Sequence, residues 1–189
     1  ATGLDLDGDS RRGGPGDAQG FGHFSGEGGM AILSNLPVDT AAVVDLSDIL
    51  WRDLPGAHLP QHPDGSPFPS PQAQAAQRLS TTGHWDVPLI LPDGGRLHLL
   101  AFYASPPVFD GPEDRNGKRA VDELRLWSAY LAGQLGRAPP AGRFVILGDA
   151  NLDPRRGDGD RSAIAAFLAD PRWQDPRPAG PGGKTATAD

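Results

Sequence analysis

Glycine and proline decide where regular structure can form in this chain. They number 26 and 20 of 189 residues and crowd three stretches: the first thirty residues, Pro55 to Pro71, and the tail from Pro171. Glycine loses the most backbone entropy on ordering, and proline withholds an N–H and fixes φ. Helices and central strands are therefore expected only in the apolar runs between these stretches. The expectation is one domain over 1–189 with an ordered α/β core, and long loops at 1–29 and 55–71. Hydrophobic residues make up 38% of the chain, a low share for a globular protein.

The apolar runs have distinct periods. Gly29-Met30-Ala31-Ile32-Leu33-Ser34 is short and bounded by turn formers, as a buried strand would be. Ala42 to Leu54 is ambiguous. Trp85–Leu91 and Leu97–Tyr103, joined by Pro92-Asp93-Gly94-Gly95, predict a hairpin, with Pro88 pointing to an edge position. From Gly117 to Leu135, residues Val121, Leu124, Trp127, Tyr130, Leu131 and Leu135 recur at helical spacing. Gly136 is the expected stop. Arg143 to Leu147 reads as a buried strand. A second helix starts near Asp160, capped by Asp160 or Ser162, with Ile164, Phe167 and Leu168 on its buried face. Trp51, Trp127 and Trp173 are expected to pack rather than stack on a ligand.

Several function classes are disfavoured. Without cysteine, neither disulfides nor a thiolate metal site can form. No stretch is long enough to span a membrane. Ala1-Thr2-Gly3-Leu4 lacks a signal peptide's basic and apolar regions, and a start without Met reads as a processed or truncated product. A net charge of −7 argues against broad basic binding of nucleic acid. It leaves open an enzyme that meets phosphate through a bound cation.

The strongest chemical signal is Phe144-Val145-Ile146-Leu147-Gly148-Asp149-Ala150-Asn151. A strand delivers an Asp and an Asn, two apart, to its end, where α/β proteins place their sites. Gly148 permits close approach to the backbone. Asp149 can hold a hard cation or accept a proton, and the Asn151 amide can donate to a phosphoryl oxygen. The competing reading is an Asx turn that merely closes the strand.

The order of four segments carries a resemblance. Gly29 to Ser34, His84-Trp85-Asp86-Val87-Pro88, the block Pro106-Pro107-Val108-Phe109-Asp110-Gly111-Pro112-Glu113-Asp114-Arg115-Asn116-Gly117, and Gly148 to Asn151 follow one another. Together they resemble the endonuclease/exonuclease/phosphatase superfamily, in a bacterial branch carrying the PPVFDGPEDRNG block. The resemblance implies a four-layer α/β sandwich of two mixed sheets face to face, flanked by helices and here incomplete at both ends. It implies Mg²⁺- or Mn²⁺-dependent hydrolysis of phosphomonoesters or phosphodiesters. Asp149 would orient or deprotonate water or help bind the metal, and Asn151 would bind the phosphoryl group. The partner would be a phosphate ester, nucleic acid among the candidates, met by an exported, monomeric bacterial protein.

The departures from that pattern matter equally. Tyr103 stands where the branch has a phosphate-contacting His; it can donate a hydrogen bond but carries no positive charge. Ala120 and Val121 replace an Asn and a His. By resemblance, an early metal-binding Glu motif should precede Ala1, and a late Asp-His pair should follow Thr187-Ala188-Asp189. The chain is thus expected to be a fragment, inactive alone. A non-catalytic binding or structural member is the first alternative.

The second alternative is a Ca²⁺-binding exported domain built on Asp5-Leu6-Asp7-Gly8-Asp9. An EF-hand count from Asp5 fails, because Ser10 and Gly16 occupy the positions that need Gly and an acid. His84 reads either as a phosphate contact or as packing beside Trp85. Arg115 and Asn116 read as substrate contacts from a loop edge, or as parts of a loop held by Asp110, Glu113 and Asp114. His23, His58, His62 and His98 have no partner at metal-ligand spacing.

Overall fold

The computed structural model describes residues 2–177 and 180. The Thr187-Ala188-Asp189 segment lies outside the described residues. Four strands form one mixed sheet in the order β1-β2-β3-β4. They are β1 (Val44–Asp45), β2 (Gly83–Ile90), β3 (Arg96–Tyr103) and β4 (Arg143–Asp149). The helices are α1 (Pro71–Ala76), α2 (Arg115–Leu131) and α3 (Arg161–Leu168). The fold is α/β.

β2 and β3 form the expected antiparallel hairpin, with His84 opposite Phe102 and Asp86 opposite Leu100. Pro88 is tolerated because its carbonyl accepts from Asp39 N (2.9 Å), on the side away from β3. Its missing N–H faces that same side, beyond the end of the two-residue β1. β4 then returns parallel to β3 after the α2 crossover, as parallel pairing requires.

Residues at even positions of β2, β3 and β4 share one face, since side chains alternate along a strand. This face carries His84, Leu100, Phe102 and Ile146, and packs with Leu124, Trp127 and Tyr130 of α2 and Ile164 of α3. Trp51 and Trp127 are fully buried, and Trp173 packs on Phe167 with ring centroids 4.7 Å apart. α2 is bounded by Asp114, in the left-handed region, and by Gly133 at φ +71°. Gly133 rather than Gly136 is the stop, because the αL residue follows directly on the C-cap Ala132. Asp160 caps α3, accepting from Ser162 N and Ala163 N.

Two expectations fail. Gly29 to Ser34 is irregular and Leu33 is 91% exposed. A strand needs a neighbour to take its N–H and C=O groups, and none of the four strands pairs with this segment, although the Met30 side chain packs over Gly83 of β2. β4 is not buried: it is an edge strand with an alternating, mostly exposed pattern, and Val145 and Leu147 face away from the helices. The 2–29 stretch is a loop with one 3-10 turn, Pro15–Asp17. It is pinned by buried Leu6, whose N–H donates to the buried Asp17 carboxylate (2.7 Å). Between Pro55 and Ser70 there is only an isolated bridge, Gln61 to Pro67. No helix of the described residues is long and apolar enough to cross a membrane.

Candidate functional site at the end of the sheet

Gly83, Tyr103 and Asp149 stand in one row across β2, β3 and β4. Because β3 and β4 are parallel, both deliver their carboxyl ends here, where open α/β sheets form a crevice. Register partners point to one face, so Tyr103 and Asp149 lie side by side on the face away from α2. Both are exposed. The row depends on Gly148. Its φ is +148°, and a Cβ there would lie 1.9 Å from the Phe102 carbonyl oxygen. Only glycine lets β4 pair this closely at its last turn.

Asn151 sits in the left-handed region at φ +52°. Its backbone N–H donates to Asp149 Oδ1 (2.8 Å), closing an Asx turn. Its Nδ2 donates to the Ala104 carbonyl (2.8 Å), tying the turn to the end of β3. The local-turn arrangement is therefore present, and it leaves capacity for a ligand. Among the described residues, Asp149 Oδ2, Asn151 Oδ1 and the Tyr103 hydroxyl have no hydrogen-bond partner. An amide also carries a second hydrogen. A hard cation such as Mg²⁺ takes one or two carboxylates and completes its shell with water and phosphate oxygens. Asp149 fits as a single protein ligand of that kind.

The other sequence candidates do not join this row. His84 is fully buried on the helix face. One ring nitrogen meets Ser80 Oγ (2.7 Å), the other donates to the Glu123 carbonyl (2.9 Å), and the ring packs between Phe102 and Trp127. Burial lowers its pKa to about 4. It is a core residue with no free nitrogen for phosphate.

Arg115 is 8% exposed. With the Gln77 amide oxygen turned toward it, Arg115 donates to Gln77 at 2.8 Å. Asn116 is spent on its own loop: Nδ2 donates to the Val108 carbonyl (2.7 Å), and its N–H donates to the Asp110 carboxylate. These two residues shape the loop rather than face the crevice.

Other polar residues support the site from below. Glu123 is fully buried and accepts from Thr81 N–H, Thr81 Oγ1 (3.1 Å) and Ser105 N–H (2.6 Å). It joins the loop entering β2 to the loop leaving β3. Arg119 donates to the carbonyls of Leu79 (2.8 Å), Arg78 (2.9 Å) and Ser80 (3.2 Å). The sequence carried a signal for them. Arg119, Asp122, Glu123, Leu126 and Tyr130 fall at helical spacing on one face, so charge on that face had to be buried and paired.

The carboxylates of Asp5, Asp7 and Asp9 each offer an oxygen within 4.8 Å of the others, an arrangement that could hold a metal ion. Oxygen donors of this kind suit Ca²⁺ or Mg²⁺. Burial, with the charges of Asp9, Asp17 and Asp5, raises the Asp7 pKa despite a backbone hydrogen bond.

The model of the Endonuclease/Exonuclease/phosphatase family matches residues 2–188. The chain belongs to that family, whose members are hydrolases acting on phosphate esters. No curated protein matches it. Among solved structures it is similar to sphingomyelinase C from Streptomyces griseocarneus, at 22% identity and a TM-score of 0.35 over 46% of this chain. The chain spans 27% of that protein, and so partial a likeness assigns nothing further.

Proposed function

We propose that this chain carries part of the active site of a divalent-cation-dependent phosphoesterase. The observation that carries the reading is the row of Tyr103 and Asp149 at the parallel strand ends, with Asn151 clamped beside them. Asp149 would hold Mg²⁺ or Mn²⁺, or orient the attacking water. Asn151 would use its free amide hydrogen on the phosphoryl group, and the Tyr103 hydroxyl would donate to another oxygen. A bound cation would neutralise phosphate charge and polarise the P–O bonds. The sheet face bearing Tyr103, Val145 and Leu147 is 43%, 39% and 39% exposed at those residues. That supports a second sheet packing there, as in a four-layer sandwich supplied by a longer polypeptide. We place the whole in an exported monomer and expect this chain alone to be inactive.

The test is Mg²⁺-dependent release of p-nitrophenol from bis(p-nitrophenyl) phosphate by a longer polypeptide containing the chain. Asn151→Ala should lower kcat/KM by roughly 100-fold or more, the scale of losing an anion-stabilising donor. No turnover with any divalent metal would overturn the proposal. It would favour a binding or structural member, a reading supported by the use of one Asn151 amide hydrogen on Ala104. Calcium binding at Asp5, Asp7 and Asp9 is a separate question: calorimetric heat with Ca²⁺ should vanish in Asp7→Ala.

A further inference from the structure

Phe109 stands in the β3–α2 loop at φ +67°, 91% exposed. For a bulky residue the left-handed region is a genuine outlier. The loop around it is tightly held. Asn116 binds the Val108 carbonyl, Gly111 N–H donates to Glu113 Oε1 (3.0 Å), and Asp114 N–H donates to the Gly111 carbonyl (3.1 Å). The fold therefore keeps an aromatic ring in water on a strained backbone, against both preferences. Strain of this kind persists where the surroundings impose it, and it clusters at ligand sites.

The loop begins at the candidate site. Ser105 follows Ala104, whose carbonyl takes the Asn151 amide. Pro107 and Leu152 close on Gly159, where a Cβ would lie 3.0 and 2.3 Å from them. Phe109 comes two residues after that contact with the segment following Asn151. Of the non-glycine residues at positive φ, Phe109, Asp114 and Asn151 all belong to these two loops. Near the ring, the acids Asp110, Glu113 and Asp114 outnumber the bases Arg115 and Lys118, so the loop's net charge does not favour phosphate there and leaves the ring to an uncharged group.

We propose that Phe109 is a specificity-determining residue that offers its ring to the apolar group carried by the phosphate ester. This rests on the phosphoesterase reading and deepens it. The apolar group can be an aromatic ring or a hydrocarbon chain, because both bury area against a phenyl face.

Calorimetry with Mg²⁺ on the same longer polypeptide that is assayed for turnover separates the possibilities. The probes are methylphosphonate, phenylphosphonate and hexylphosphonate, whose P–C bonds are not hydrolysed. Phenylphosphonate, hexylphosphonate or both should bind roughly tenfold tighter than methylphosphonate, the scale of burying part of a ring. Which of them does so identifies the group. Phe109→Ala should erase the preference while leaving methylphosphonate unchanged, and Asn151→Ala should weaken all three alike. Phe109→Gly, which relieves the backbone, should raise Tm yet also lose the preference. If Phe109→Ala keeps the preference, or none exists, the inference fails while the phosphate site stands. If no phosphonate binds, the strand-end reading fails and takes the inference with it.

Discussion

At the scale of single residues, two buried groups under the sheet pull stability in opposite directions with pH. Burial pushes the Glu123 carboxyl up to about 7 from 4.5, against the opposing pull of Arg119 and three hydrogen bonds. Burial lowers His84 to about 4 from 6.5, with the Arg119 charge acting in the same direction. A raised carboxyl gives stability that is full below pH 4.5 and lost as pH rises through 7. A depressed imidazole gives stability that is full above pH 6.5 and lost as pH falls through 4. Between about pH 4.5 and 6.5 the two slopes oppose and nearly cancel, each worth about 3 kcal/mol across its range. In Glu123→Gln the His84 slope should stand alone, so that unfolding free energy from urea titrations climbs between about pH 4 and 6.5. A flat profile in that variant would refute the assignment.

At the scale of elements, α2 is organised around Asp122, which is completely buried. Its carboxylate accepts from Trp51 Nε1 (2.7 Å), His58 N–H (2.6 Å) and Arg125 (2.6 Å), and meets His58 Nδ1 (2.7 Å). One side chain thus fastens α2 to the 3-10 turn at Trp51–Asp53 and to the proline-rich loop. Asp122→Ala strands the buried Trp51 indole N–H, while Arg125 and His58 can turn to water; it should cost about 1–3 kcal/mol, as leaving a buried donor unsatisfied does, and no measurable loss in thermal denaturation would contradict it. The sequence made α2 and the β2–β3 hairpin legible because their signals are local: a helical period, a four-residue turn, a cap. It hid the fate of Gly29 to Ser34, whose strand needs a partner from elsewhere. It also hid α1, a six-residue helix too short to show a period. At the candidate site, Asp149, Asn151 and Tyr103 were readable as strand-end residues. His84 misled because its role turns on parity: even positions face α2, and no motif states which face a helix will cover.

At the scale of the whole molecule, the sheet is asymmetric. One face is sealed by α2 and α3; on the other, Val87, Leu89 and Ala101 are buried too, and the β4 side, with Tyr103, Val145 and Leu147, is in partial contact with water. Tyr103 and Asp149 lie where that open side meets the strand ends, while Gly83, at the other end of the row, is buried under Met30. The helices therefore support the candidate site from behind.

The position of β4 at the border has a consequence for proton exchange with solvent. The Asp149 carbonyl turns toward β3, where Ala104 N–H meets it at 2.9 Å, and backbone groups alternate sides along a strand. The amides of Val145, Leu147 and Asp149 therefore point inward to β3, and those of Phe144, Ile146 and Gly148 point outward. Among the described residues, no backbone carbonyl takes the outward three. In deuterated buffer the strand should read as a comb, with slow Val145 and Leu147 alternating with fast Phe144 and Ile146. Uniform protection along β4 would mean that another strand, from outside the described residues or from a second molecule, has zipped onto it.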